Sequence, residues 1–208
     1  MFKRAVLFVV VLFAAGLLPA LLSTAAIASS EPNQLGLFYD AAGTVDQVSI
    51  GANTMQVLYL VLLNPVNDDY QGGTRDVGYV GGFECGLVPP TGDLVLGVDF
   101  PAVAVNVGST SNLIVGYGAA VPVGSGRAAT LASVRVLSYG NNRDGYRLAL
   151  ASPPSLAGSL AYVDAEEPGA NLVAMMPVSG AFDRAVFAFG DWKLREQAPW
   201  GEIKILFR

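Results

Sequence analysis

What most constrains this chain is the alternation that fills it. In Leu94-Val95-Leu96-Gly97-Val98-Asp99-Phe100, Leu94, Leu96, Val98 and Phe100 share one face of an extended segment, and Val95, Gly97 and Asp99 share the other. A period of two belongs to a β-strand, whose successive side chains point to opposite sides. Val103, Val105 and Val107 repeat the pattern after Pro101, and Phe83, Cys85 and Leu87 line up the same way with Glu84 turned outward. Residues 35–39, 45–50, 55–64, 112–119, 129–139 and 146–151 read as further strands. Between them stand turn formers: Asn67-Asp68-Asp69, Pro89-Pro90-Thr91-Gly92-Asp93, Gly124-Ser125-Gly126 and Asn141-Asn142-Arg143-Asp144-Gly145. Many short strands with Gly- and Pro-rich turns predict an all-β fold, an antiparallel β-sandwich.

One strand breaks the simple pattern. In residues 55–63 the face of Met55, Val57, Tyr59, Val61 and Leu63 is as apolar as the face of Leu58, Leu60 and Leu62. A strand apolar on both sides is covered on both sides. The expected cover is the segment after residue 181, which carries Phe182, Val186, Phe187, Phe189, Trp192, Trp200, Ile203 and Phe207.

The first residues follow a different logic. Lys3 and Arg4 precede an apolar run, and Ala26-Ile27-Ala28 places small residues at −3 and −1 of a cleavage point after Ala28. Residues 1–28 therefore read as a secretory signal helix, with an uncleaved membrane anchor as the alternative. The expected location is secreted, periplasmic or cell-surface, with no membrane contact once the signal is removed. Residues 29–197 are expected to form one domain, with 198–208 packing on it. Acidic residues outnumber basic ones 17 to 12, and only Lys3, Lys193 and Lys204 are lysines. That balance lacks the basic footprint of a nucleic-acid binder. Cys85 is the single cysteine, so no internal disulfide is open to the chain and its stability rests on core burial.

The composition also limits chemistry. The chain has no histidine, which removes Ser-His-Asp triads, Cys-His pairs and imidazole metal ligands. Activating Cys85 would take a neighbouring cation, a helix N-terminus or a metal, yet its neighbours are Phe83, Glu84, Gly86 and Leu87. A buried, inert thiol is the reading these residues favour. A glycosidase would draw two carboxylates from Asp68, Asp69, Asp99, Asp164, Glu166 and Glu167, most of which sit in turns where Asp stabilises the turn itself. No organic cofactor is expected. Ca²⁺ is the inorganic candidate, through oxygen ligands at Asp68 and Asp69 or at Asp164, Glu166 and Glu167. None of these runs has EF-hand spacing.

The order of strands carries a resemblance. An apolar strand ends in Asn64-Pro65. Gly82-Phe83-Glu84-Cys85-Gly86-Leu87 follows, then a Pro/Gly/Asp turn and Leu94-Val95-Leu96-Gly97-Val98. Later come Asn112-Leu113-Ile114-Val115-Gly116-Tyr117-Gly118 and Ala129-Thr130-Leu131-Ala132-Ser133-Val134-Arg135-Val136. Over residues 45–152 this succession resembles the cohesin-like domain. Cys85 stands where that family usually has an aromatic, Val134 where it has Phe, and Pro89-Pro90 replaces its Tyr-Asp-Pro turn. The resemblance implies a jelly-roll β-sandwich and a non-catalytic role in adhesion or scaffolding, with a cell-surface or extracellular protein as partner. It transfers no binding residues.

A carbohydrate-binding module is the alternative. It needs a planar strip of exposed aromatics, for which Tyr70, Tyr79, Tyr117, Tyr139 and Tyr146 are available. Residues 158–177 read as a long loop folded back on the sheets, through Leu160, Tyr162, Val163, Leu172, Val173, Met175 and Met176. At the C-terminus, Pro199 at a first helical position, Glu202 near the N-terminal end and Arg208 at the other favour a short helical turn. Its stripe of Trp200, Ile203 and Phe207 is expected to dock on the outer face of the 55–63 strand.

Overall fold

The chain is described by a computed structural model over residues 31–69, 72–140, 144–167 and 171–190. The expected signal helix (1–28) and the expected C-terminal turn with Trp200, Ile203 and Phe207 lie outside those residues. Fourteen strands form within them, and no helix does. In chain order they are β1 (Gln34–Phe38), β2 (Gln47–Val48), β3 (Thr54–Leu63), β4 (Val66–Asp68), β5 (Thr74–Asp76), β6 (Tyr79–Val88) and β7 (Leu94–Asp99). β8 (Ala104–Asn106), β9 (Asn112–Pro122), β10 (Ala128–Ser138), β11 (Arg147–Ala149), β12 (Leu160–Asp164), β13 (Asn171–Pro177) and β14 (Ala188–Phe189) complete them.

Ten of these make one curled, mixed sheet in the order β7-β10-β3-β1-β13-β12-β6-β9-β8, with β11 also on β6. Its pairings are antiparallel except β1 with β13, which run parallel with Gln34 opposite Met176. The curl brings its two arms onto one core. Leu58, Leu60 and Leu62 from β3 and Leu35 and Leu37 from β1 join Phe83, Cys85, Leu87, Leu113 and Tyr162 from the other arm. Phe83, Cys85 and Leu87 are each at most 3% exposed, as their shared face predicts.

The two-sided apolarity of β3 is real, and among the described residues the cover of its outer face does not come from Phe182, Val186, Phe187 or Phe189. Val61 and Leu63 pack with Phe38 in a small second cluster on the outer face, joined by Tyr59, Ala128 and Val178. Gly36 makes this possible, because a Cβ there would stand 2.5 Å from the Phe38 ring. Gly43, at a φ of +72° that suits glycine, lies against Leu63 and Val61. The 40–45 loop that carries it is anchored by Asp40, whose carboxylate accepts hydrogen bonds from Thr44 N, Thr44 Oγ1 and Val45 N. Val186, Phe187 and Phe189 instead enter the main core. There Phe187 and Phe189 meet edge-on at 5.0 Å, both beside Tyr146. None of them belongs to the cluster on the outer face of β3.

Three other expectations are corrected. Residues 158–177 are not a loop: β12 and β13 form an antiparallel hairpin in the middle of the sheet. In β7 the common face of Leu94, Leu96, Val98 and Phe100 does not hold. Leu94 and Leu96 are about half exposed, whereas Val95, Val98 and Phe100 pack on the core. The register of β7 on β10 shifts between Arg135 and Val136, and such a bulge exchanges the faces of a strand on either side of it. Finally, Glu84 is turned away from Cys85 but is buried, held by Ser155 N at 2.7 Å and Ser155 Oγ at 2.6 Å.

Candidate functional site

The chemistry-bearing side chains collect around Arg75, which extends from the β4–β5 hairpin. It is the only cation between Arg4 and Arg127. Its guanidinium bonds the buried carboxylate of Asp164, meets Glu167 at 2.7 Å and Glu166 at 3.1 Å. Asp164 also accepts from Asn67 Nδ2 at 2.9 Å and from the Glu166 N–H at 3.0 Å, while Glu166 accepts from Gly78 N. Hydrogen bonding to Glu167 leads in holding the Arg75 pKa above its ordinary value, with the charges of Asp164 and Glu167 adding to it against burial. Three of the five carboxylates expected as calcium ligands thus converge, on a guanidinium. Asp69 is spent on its own turn, accepting from Gly73 N, and Asp68 is exposed at the end of β4. Among the described residues, no three His, Cys, Asp or Glu side chains have the arrangement of a metal site.

A groove of about 320 Å³ runs beside this cluster, between β4 and β13. Val66, Leu172, Val173 and Ala174 give it an apolar side, and Asn33, Asn67 and Asp68 a polar one. Asn67 already donates to Asp164, and Asn33 Oδ1 already accepts from Val66 N and Tyr162 Oη. The groove offers a shape and one exposed carboxylate rather than a nucleophile beside a base.

Cys85 lies far from such chemistry. It is fully buried, and burial first, with the charge of Glu84 second, pushes its thiol well above the ordinary range. A second buried polar centre escaped the sequence reading. Asp93, read in the sequence only as part of a turn, is 5% exposed and accepts hydrogen bonds from Tyr146 Oη, Ser138 Oγ and Tyr139 N.

The tyrosines do not form a strip. Tyr146 is buried, and Tyr117 is half-buried with its hydroxyl on the Leu131 carbonyl. Tyr79 and Tyr139 are exposed, but Tyr79 lies at the end of the sheet where β10 begins and Tyr139 just past the end of β10. Those ends are on the order of 30 Å apart for a strand of this length. Tyr70 lies outside the described residues.

The open apolar surface is elsewhere. On the outer face of one arm, Met55, Val57, Leu94 and Leu96 are each 41–65% exposed. At the far edge of the other arm, Val103, Val105 and Val107 are 66–82% exposed. Arg75 as a hub had one signal in the sequence, its isolation as a cation amid acidic turns; the register shift of β7 had none. No family model matches the chain, and no curated protein or solved structure matches it significantly.

Proposed function

We propose that the chain is an exported, non-catalytic binding or scaffolding domain, a jelly-roll-type β-sandwich of the cohesin-like kind that engages a protein at the cell surface or outside the cell. The observation that carries this reading is where apolar surface remains open. Met55 and Val57 on β3 and Leu94 and Leu96 on β7 are exposed on either side of β10, whose Leu137 and Arg135 lie between them, and exposed apolar residues grouped on one face commonly mark protein contacts. The groups able to do chemistry are engaged internally: Asp164, Glu166 and Glu167 on Arg75, and Asp93 on Tyr146. Two arms sharing one core fit a sandwich, and the basic start with Ala26-Ile27-Ala28 fits export.

The test uses the purified protein as bait against proteins secreted by its own host, beside a glycan array. Capture of one protein, lost in the Leu96→Asp and Val57→Asp variants and without glycan signal, is the expected result. Glycan binding without protein capture would replace this reading with the polysaccharide-binding one, against which the separated tyrosines stand. Hydrolysis of a glycan, abolished by Glu166→Gln, would turn it toward a glycoside hydrolase.

A further inference from the structure

Among the described residues, strand β8 ends the sheet and pairs with β9 on one side only. Val103 O accepts from Gly118 N, and Val107 N donates to Ile114 O. Backbone groups alternate sides along a strand, so those of Val103, Val105 and Val107 face β9 and those of Ala104 and Asn106 face the open edge. Ala104 packs toward the core, and the valines stand out from the opposite face. The Asn106 side chain does not block the edge, because its amide is folded back onto Gly108, Ser109 and Ile114.

Such an edge is normally guarded by charge, proline or a bulge. The other end of the sheet follows that rule, with Asp99 and Arg135 paired across β7 and β10 at 3.1 Å. No charged residue occurs from Phe100 to Gly126, so β8 and β9 are both bare of charge in a chain of formal charge −5. Two copies of an acidic protein repel each other wherever their acidic surfaces meet, and this edge is where they do not.

We propose that β8 is a self-association edge, pairing antiparallel with β8 of a second copy about a two-fold axis through Val105. The sequence Val103-Ala104-Val105-Asn106-Val107 is suited to its own reverse. Val105 meets Val105 of the second copy, Val103 meets Val107, and Ala104 exchanges main-chain hydrogen bonds with Asn106. All six valines then lie on one face of a continuous sheet, in the isologous arrangement that a closed dimer requires. A junction this short gives a concentration-dependent dimer rather than a permanent one. It goes beyond the binding role proposed above, since the same pairing would form if the partner were a glycan.

Sedimentation or light scattering of the purified protein over about a hundredfold range of concentration should show the mass doubling. Val105→Lys places two ammonium groups face to face and should weaken the dimer at least about tenfold. Ala104→Pro removes a main-chain donor from the open edge and should do the same. Val105→Lys should keep the monomer's unfolding midpoint, since Val105 is exposed. Val105→Cys supplies the positive test, because Cα atoms directly opposite in a non-hydrogen-bonded pair stand about 4.5 Å apart, within disulfide range. Mild oxidation should link two copies through residue 105, with Cys85 buried and unreactive. A monomer at every concentration would overturn the proposal. So would a dimer that survives Val105→Lys, or one abolished by Leu96→Lys at the opposite edge.

Discussion

Tyr146 donates its hydroxyl to a carboxylate oxygen of Asp93 at 2.8 Å, both side chains being buried. The bond ties the turn before β7 to the aromatic cluster of Phe187 and Phe189. Because Asp93 also receives Ser138 Oγ and Tyr139 N, it is the shared acceptor of three donors. Tyr146→Phe should cost about 1–2 kcal/mol of stability. Asp93→Ala should cost more, about 3 kcal/mol, since it leaves several buried donors unmet at once. Urea unfolding of the two variants checks the order, and equal losses would mean that Asp93 serves Tyr146 alone.

Burial is the largest cause that raises the hydroxyl pKa of Tyr117, Tyr146 and Tyr162 above the ordinary value of 10.0. The fold therefore favours their neutral forms. The stability they contribute is complete below pH 10 and is lost as the pH climbs toward the raised folded values. Unfolding midpoints should fall steeply above about pH 10. Tyr146→Phe should blunt that fall, as followed by tyrosinate absorbance.

Asp40 titrates with the opposite sign. Burial works to raise its pKa, but hydrogen bonds from Thr44 and Val45 outweigh it and hold the group below the ordinary 3.8. Its contribution is present above that value and disappears as the pH drops through the depressed one. Asp40→Ala should cost about 1 kcal/mol at neutral pH, the usual net size for lost side-chain hydrogen bonds, and less at a pH below the depressed value. A loss independent of pH would show that the 40–45 loop covers Val61 and Leu63 without help from this charge.

Removing the Arg75 guanidinium leaves Asp164 buried beside Glu167 without a cation. Arg75→Ala should cost about 3 kcal/mol, and Arg75→Lys should recover only part of it, because one ammonium cannot reach three carboxylates with a guanidinium's fork. Thermal unfolding of both variants measures this. Full rescue by lysine would show that charge alone, rather than the fork, holds the cluster.

Cys85 should resist thiol reagents in the native protein and react once it is unfolded. Cys85→Ala should cost about 1 kcal/mol of packing, and Cys85→Ser somewhat more, because a hydroxyl would be buried without an assured partner.

The sequence and the fold agree on which face of β6 meets the main core. Phe83, Cys85 and Leu87 point inward because β6 keeps an unbroken register through them, and period two survives intact. In β7 the apolar residues were legible as a strand but not their side, since a register shift opposite Arg135 and Val136 has no mark in composition. β12 and β13 were missed for a different reason. Ala174, Met175 and Met176 have weak strand preference, and the acidic turn at Asp164 to Glu167 looked like the middle of a loop rather than the bend of a hairpin. Arg75 stood out only as an isolated cation, and nothing local in the sequence shows that residues 164–167 arrive beside it.

The parallel pairing of Gln34 with Met176 has a kinetic consequence. Most of the chain separates these two strands, and among the described residues their pairing is the only ladder joining the arms of the sheet. A chain emerging from its N-terminus exposes the free edge of β1 until residue 177 is made. Contacts of such high sequence separation form slowly, with loop closure completed before they are rewarded. Closure is thus a late event that a chaperone could hold open, and any chain interrupted before β13 would carry an unsealed β1 edge prone to pairing with strangers.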